Sequence, residues 1–252
     1  RLPRWNLFYL LKLKKMISNL SIIKVYDLQN SSRTLFYKKF LFNKIKWSST
    51  ETTLPPGTKK EDFDKDAVLD RFDFQLRKSN IITKHTLKPD FSWACEDIKN
   101  IKEKNNLTKY ILLFPFCSIN LPHKKWPYFN DLILLLKKKY EGIKIVTAPG
   151  PKEIKESKTI NAEAILNENE VLSITELASL IRDAIFVISN DTGPAHMSAH
   201  LGVKGVALFG HHTTAKKVSM ETNEFKTISK KSLNDLTADE VLSYVTKKLS
   251  SI

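Results

Sequence analysis

Residues 187–210 read VISNDTGPAHMSAHLGVKGVALFG, and this stretch decides the fold. An apolar run ends in a polar turn, a helix of small residues is predicted over 195–201, and a second apolar run occupies 205–209. Strand, turn, helix and strand in this order form a unit typical of a parallel sheet. Similar alternation on both sides predicts that residues 89–252 form a complete doubly wound α/β domain.

The other elements of this domain follow from apolar periodicity. Further strands are predicted at 110–116, 143–148 and 184–189. Helices are predicted at 128–140, after Pro151, and after two capping boxes, Ser173 with Glu176 and Thr237 with Glu240. Residues 83–91 are predicted to cross between the two domains.

Residues 1–88 have a less regular pattern. Strands are predicted at 22–27 and 45–47, helices at 32–41 and 67–78, and a loop at 51–65. Four apolar side chains of the second helix are predicted to face inward: Leu69, Phe72, Phe74 and Leu76. So few strands would leave an unpaired sheet edge, and the chain starts at Arg1 inside a helical pattern. We therefore expect an incomplete N-terminal domain, with residues missing ahead of position 1.

Composition limits the class of partner. The chain has 41 Lys and Arg against 27 Asp and Glu, a net charge of +14, which favours nucleotides, nucleic acid or an anionic membrane face. The lysines are spread along the whole chain, which argues against nucleic acid. The two cysteines, Cys95 and Cys117, have neither metal nor redox spacing. With no membrane-spanning apolar run and no signal peptide, the expected location is the cytoplasm.

The turn at 189–196 carries the chemistry. Ligands of open α/β sheets bind at the carboxyl ends of the strands, and free amides at a helix start suit a diphosphate. Gly193 permits close approach of a ligand, and Pro194 suits a first helical turn. The structural alternative is an ordinary N-cap formed by Asp191 or Thr192.

Four segments carry a resemblance to a known family. Residues 187–210 resemble the D-[ST]-G-x-x-H turn of glycosyltransferase family 9, the ADP-heptose:lipopolysaccharide heptosyltransferases. Residues 112–133, LLFPFCSINLPHKKWPYFNDLI, are similar to its K-x-W-P segment, and 148–153 to its loop with a donor-contacting glutamate. Residues 25–34, VYDLQNSSRT, resemble its D-L-Q-G-S-x-R segment, with Asn30 in place of the glycine. Gly210 is followed by His211 and His212, where the family usually has Gly-Pro-Thr.

The resemblance implies a GT-B fold, in which two Rossmann-like domains face each other, the first of them incomplete here. It implies a donor-binding set on the C-terminal domain: Ser118, Lys124, Glu153, Leu172, Ser173, Asp191, Thr192, Gly193 and His196. Asp27, Gln29 and Arg33 would lie on the acceptor side. No cofactor and no metal are expected. The general base of the family would lie upstream of this chain.

The implied activity is inverting transfer of a sugar, by default a heptose, from a nucleotide-diphosphate sugar to an anionic glycolipid of the lipopolysaccharide type. Peripheral contact with the inner membrane face is also expected. Four alternatives stay open: a non-catalytic module that binds nucleotide sugars, a nucleotide-sugar epimerase of the same fold, nucleic-acid binding, and a zinc site. The zinc site would use His196, His200, His211 and His212 and is disfavoured, because no further ligand is suitably spaced.

Overall fold

The computed structural model describes residues 6–249 of the chain. The chain forms two compact units that divide between Leu87 and Lys88, one residue before the boundary expected from the sequence. Each unit has its own parallel sheet. Within residues 6–249, no helix is both long enough and apolar enough to cross a membrane.

The N-terminal unit contains a sheet of two parallel strands, β1 (Lys24–Tyr26) and β2 (Lys46–Ser48). Its α-helices are α1 (Leu7–Ser18), α2 (Ser32–Phe36), α3 (Thr50–Thr53), α4 (Lys60–Phe63) and α5 (Val68–Lys78). A π-helical segment, Tyr37–Leu41, continues α2, so the helix predicted over 32–41 changes its hydrogen-bond spacing halfway. Both predicted strands exist, although each is only three residues long.

The prediction of a loop over 51–65 was wrong. This segment contains most of α3 and all of α4, each a single turn of four residues. A helix of four residues is too short to show apolar periodicity in the sequence. Helix α3 is instead stabilised by a capping box, in which the amide of Ser49 donates to the hydroxyl of Thr52 over 2.9 Å.

Helix α5 joins the two strands of this unit through a polar side chain. Gln75 is 1% exposed, and its Nε2 donates to the carbonyl oxygens of Asp27 at 3.0 Å and Ser48 at 3.1 Å. Asp27 directly follows β1, and Ser48 is the last residue of β2. The four apolar side chains predicted to face inward are only half-buried. A buried amide therefore occupies the central position of this packing face, where the apolar pattern predicted leucine and phenylalanine.

The C-terminal unit contains a sheet of six parallel strands. They are β3 (Tyr110–Phe114), β4 (Lys144–Thr147), β5 (Glu163–Ala164), β6 (Phe186–Asn190), β7 (Gly205–Phe209) and β8 (Phe225–Ser229). Their spatial order is β5-β4-β3-β6-β7-β8. The chain order reverses between β3 and β6, which is the switch point where ligands of such sheets bind.

The α-helices of this unit alternate with its strands. They are α6 (Lys99–Lys104), α7 (Phe129–Lys139), α8 (Ile154–Ser157), α9 (Ile174–Arg182), α10 (Gly193–His200), α11 (Ala215–Val218) and α12 (Ala238–Leu249). Both predicted capping boxes form. The amide of Glu176 donates to the Ser173 hydroxyl at 3.1 Å, and that of Glu240 to the Thr237 hydroxyl at 3.2 Å. Each cap contributes about 1 kcal/mol.

The six-stranded sheet is buried on both faces. All five residues of β3 are buried, and alternate residues enter different apolar clusters. Leu112 packs in one cluster with Val187, and Ile111 packs in the other with Ile188. Fully burying such a side chain contributes about 2 kcal/mol. This two-sided packing holds the carboxyl ends of β3 and β6 in place.

Candidate functional site

The turn between β6 and α10 presents an open helix start. Asp191 is buried, whereas Gly193 is exposed, and a Cβ added to Gly193 would meet nothing within 4 Å. Thr192 is the N-cap residue of α10, but no side chain caps this helix among the residues that the structure describes. Neither Asp191 nor Thr192 therefore caps it. Pro194 has no N–H, and the amide of Ala195 donates to the Thr192 carbonyl at 3.1 Å, so the amide of Gly193 is left for another partner.

Lys124 points at this turn. Its Nζ donates to Oδ2 of Asp191 over 2.6 Å, and Nε2 of His212 lies 2.9 Å from the same oxygen. The side chain of Asp191 is 4% exposed and that of Lys124 is 20% exposed. The carboxylate thus holds a partly accessible cation beside the open helix start.

Charge and burial act against each other at Asp191. Burial opposes ionisation of the carboxyl group, but hydrogen bonds from Lys124 and His212 hold its pKa below the ordinary value. Burial lowers the pKa of His196 and His212, although Asp191 opposes this shift in both. The carboxylate is therefore ionised at neutral pH, and both imidazoles are neutral.

Asn190 fixes the loop that carries Lys124. Its Oδ1 accepts from the amide of Trp126 at 3.0 Å, and its Nδ2 donates to the Pro115 carbonyl at 2.9 Å. Trp126 is 1% exposed, and its indole nitrogen donates to the Leu236 carbonyl at 2.8 Å. The buried tryptophan and asparagine anchor the segment on both sides of the lysine. These hydrogen bonds explain how the tryptophan of the K-x-W-P segment positions its lysine.

A cavity of about 220 Å³ lies beside the turn. Thr192 and Pro194 contribute to its wall together with Glu153 and Leu172, and the remaining lining is mostly apolar. Oε2 of Glu153 accepts from the amide of Gly150 at 2.8 Å. Burial raises the pKa of Glu153, and this hydrogen bond opposes the rise. The cavity offers an apolar slot with one carboxyl group.

Two residues of the predicted donor set lie apart from this arrangement. Ser118 is exposed in the loop after β3, and its carbonyl accepts from the amide of Leu121. Ser173 is the N-cap of α9, and its hydroxyl also lies 3.4 Å from Oε1 of Glu96. Neither residue lines the cavity. The structure brings together Lys124, Asp191, Thr192 and Gly193 at the turn, and Glu153 and Leu172 with Thr192 at the cavity.

The predicted acceptor-side residues lie in the N-terminal unit. Oδ1 of Asp27 accepts from the amide of Asn30 at 2.9 Å, so this carboxylate shapes the turn after β1. Asn30 has a φ of 48°, in the left-handed region that asparagine tolerates better than most residues. This conformation explains why asparagine can replace the family's glycine. Gln29 is exposed and Arg33 is half-buried.

The four histidines of the candidate zinc site do not lie together. His212 faces Asp191, whereas the exposed His211 places Nδ1 3.1 Å from the carbonyl of Lys231. The rings of His196 and His200 stack at 6.5 Å. Across residues 6–249, no group of three or more potential ligands is placed to hold a metal ion.

The sequence suggested His212 only as a candidate zinc ligand and not as a neighbour of Asp191. Its ring stacks on Phe209 with centroids 5.8 Å apart and planes 11° apart, and its side chain is 7% exposed. The sequence showed one relevant feature: His211 and His212 follow Gly210, where the family usually has Gly-Pro-Thr. Because His212 lies 21 positions after Asp191, only the pairing of β6 with β7 brings the two together.

Comparisons with known proteins identify the family and the fold. The model of glycosyltransferase family 9 (heptosyltransferase) matches residues 57–236, more than half of the chain. The E. coli heptosyltransferase WaaC with ADP has a TM-score of 0.68 at 18% identity, covering 97% of this chain and 79% of that one. A family 9 glycosyltransferase from Veillonella parvula has a TM-score of 0.70 at 17% identity, covering 100% and 81%.

A UDP-GlcNAc 2-epimerase from Methanocaldococcus jannaschii, solved with UDP-GlcNAc and UDP, is more distant. Its TM-score is 0.56 at 15% identity, covering 95% of this chain and 72% of that one. A search among curated proteins found no match.

Two α/β units with parallel sheets, and a helix start at a switch point, define a protein of the GT-B fold. The family match is more specific: the chain belongs to glycosyltransferase family 9. It is a glycosyltransferase that uses a nucleotide sugar. The family match also favours transfer over epimerisation.

Proposed function

We propose that this protein transfers a heptose, with inversion, from a nucleotide-diphosphate heptose to an anionic glycolipid of the lipopolysaccharide type. The observation that carries the donor side is Lys124, held by Asp191 beside the uncapped start of α10. Two sources of positive potential, an ammonium group and a helix N-terminus, then act on one diphosphate. A unit charge pair about 4 Å apart near a protein surface is worth roughly 4 kcal/mol before desolvation.

The donor extends from the turn into the neighbouring cavity. The diphosphate lies on the amide of Gly193, and the nucleoside enters the slot lined by Leu172 and Pro194. Glu153 accepts a hydrogen bond from a hydroxyl of the ribose or of the sugar. Continuity supports this assignment, because Thr192 belongs to both the helix start and the cavity wall. His196 lies on the first turn of α10 and borders the sugar.

The reaction requires stabilisation of a leaving group. An acceptor hydroxyl attacks the anomeric carbon, its proton passes to a carboxylate, and the nucleoside diphosphate departs with the bonding electrons. Lys124 and the helix start stabilise the charge that develops on the departing oxygen. Because both groups contact the diphosphate once the donor is bound, little reorganisation accompanies the chemical step.

The acceptor side is proposed on the N-terminal unit. A cavity of about 300 Å³ opens at the carboxyl ends of β1 and β2, where Asp27, Ser49 and Lys38 contribute to its lining. Lys38, whose Nζ also pairs with Glu51 at 2.7 Å, gives this cavity a cation that suits an anionic saccharide. Arg33, near the start of α2, supplies a second cation, and the exposed Gln29 a hydrogen-bonding group.

Peripheral contact with the inner, cytoplasmic face of the membrane belongs to the same proposal. Helix α1 exposes apolar and basic side chains: Leu7, Phe8, Leu11, Lys12, Lys14, Lys15 and Met16. A surface of this kind suits anionic lipid. Co-sedimentation with phosphatidylglycerol vesicles but not with phosphatidylcholine vesicles is the expected result, and equal recovery with both would contradict it.

The test of the donor assignment is substitution of Lys124. With ADP-heptose as donor, Lys124→Ala should weaken binding and lower turnover by about 100-fold, the usual effect of losing one preorganised group on a leaving oxygen. Lys125→Ala is the matched control, because this neighbour pairs with Glu156 instead. Equal activity of the two variants would contradict the proposal.

A further inference from the structure

One carboxylate oxygen has two donors that differ in access to solvent. Oδ2 of Asp191 accepts from Nζ of Lys124 at 2.6 Å and lies 2.9 Å from Nε2 of His212. The Lys124 side chain is 20% exposed, whereas the His212 side chain is 7% exposed. Lys124 is therefore free to turn outward, and His212 is held in place.

The His212 ring is fixed by packing and has one stable protonation state. It stacks on Phe209, and the ring of His123 lies 5.5 Å away. Because the carboxylate accepts, Nε2 carries the proton. Nδ1 is buried and has no hydrogen-bond partner among the residues that the structure describes. A second proton there would be a buried donor without an acceptor, so the ring stays neutral.

The charged groups around His212 act in opposite directions on its pKa, and the net shift is downward. Asp191 faces Nε2, while Lys124 and His123 lie on the 3₁₀ turn Pro122–Lys124. Burial, Lys124 and His123 lower the pKa of His212, and Asp191 opposes them. His212 therefore acts as a neutral hydrogen-bond donor to the carboxylate.

Donor binding removes one of the two hydrogen-bond partners of Asp191. Under the proposed function, Lys124 moves its ammonium group toward the diphosphate. A buried carboxylate that loses its only partner is strongly destabilised, since the desolvation of the charge is no longer offset. Asp191 keeps a second donor, and that donor cannot follow the ligand.

We propose that His212 is a positioning residue for the donor: it keeps Asp191 hydrogen-bonded and ionised when Lys124 turns from the carboxylate to the donor diphosphate. This inference rests on the proposed function. His212 itself touches no substrate. It lowers the free-energy cost of releasing Lys124 from Asp191.

The first experiment measures donor affinity against pH in the full chain. The variants are His212→Phe, His212→Gln, which keeps an N–H donor, and His211→Gln as an exposed neighbouring control. The probe is ADP-heptose or UDP-N-acetylglucosamine, whichever the unaltered chain binds. At pH 8, His212→Phe should bind at least about tenfold more weakly, which corresponds to roughly 1.4 kcal/mol.

The pH profile separates this role from general damage. In the His212→Phe complex, Asp191 has neither partner, so burial raises its pKa and binding takes up a proton. Affinity of this variant should recover as the pH falls from 8 to 5.5. His212→Gln and His211→Gln should follow the unaltered chain within about threefold, well under 1 kcal/mol. A pH-independent loss, or equal losses in His212→Phe and His212→Gln, would overturn the inference.

A second experiment needs no ligand. Lys124→Ala imitates the departure of Lys124, so it should lower thermal stability more in the His212→Phe background than in the unaltered chain. Additive effects would overturn the inference even if nucleotide sugars bind. Failure of both nucleotide sugars to bind the unaltered chain, with coupling present, would instead count against the proposed function.

Discussion

Two aspartates follow parallel strands in this protein, and their partners differ. Asp27 follows β1 and accepts from the backbone amide of Asn30, three residues away. Asp191 follows β6 and accepts from Lys124, 67 residues away, with His212 on the same oxygen. Both carboxylates are buried. The first shapes its own turn, and the second holds a cation brought by another part of the fold.

The helices that follow these aspartates differ in the same way. Helix α2 is capped by Ser31, whose hydroxyl accepts from the amide of Thr34 at 3.3 Å. Helix α10 has no side-chain cap within the described part of the chain. Where a side chain already accepts a hydrogen bond from the first amides of a helix, fewer of these amides are available to bind an anion. The comparison therefore predicts that an anion binds at the start of α10 and not at the start of α2.

The largest expected effect comes from exchanging the two aspartates for asparagine. Asp191→Asn removes the charge that holds Lys124 and should lower the free energy of unfolding by on the order of 2 kcal/mol. Asp27→Asn keeps an oxygen that accepts from the backbone, so it should change stability by less than about 1 kcal/mol. Urea denaturation of both variants measures the difference. Equal losses would break the comparison.

The C-terminal unit should also be sensitive to acid. Burial lowers the pKa of His196, His200 and His212, so the unfolded chain binds more protons and stability rises with pH. Their contribution is fully present above about pH 6.5, the ordinary histidine value, and is lost below it. The lowered pKa of Asp191 adds a further loss only below about pH 4.

Thermal unfolding followed between pH 5 and 8 measures this sensitivity. The unfolding temperature should fall below pH 6.5, and less so in His200→Gln, which removes one of the three buried imidazoles. A melting temperature that rises on acidification would contradict this account.

Smaller effects should separate the two helix starts. Ser31→Ala removes a cap and should cost about 1 kcal/mol of stability. Thr192→Ala removes no cap, so its cost in stability should be well under 1 kcal/mol. Donor affinity should respond in the opposite order, falling in Thr192→Ala and staying unchanged in Ser31→Ala. Chemical denaturation and donor titration of the same two samples measure both quantities.

The sequence predicted the C-terminal sheet where apolar runs are continuous. The bounds of β7 were predicted without error, and α7 was predicted within one residue at each end. The edge strands β5 and β8 were missed. The first has two residues, and the second, FKTIS, alternates with polar positions and is only partly buried. An edge strand needs no continuous apolar run, so its pattern resembles that of a loop.

The site was predicted as far as local sequence reaches. The turn after β6 is read from neighbouring residues, and the resemblance to family 9 supplied Lys124. The role of His212 depends on tertiary proximity alone, because its spacing from Asp191 matches no local motif. The same limit explains Gln75, a buried amide whose partners lie on two distant strands.

The most direct measurement is amide hydrogen exchange with and without ADP-heptose. Among the backbone amides, that of Gly193 should exchange more slowly on ligand addition, because the diphosphate accepts its hydrogen bond. Those of Ser32 and Thr34 at the start of α2 should not change. Unchanged exchange at Gly193 under saturating ligand would contradict the account, since the donor would then be bound elsewhere.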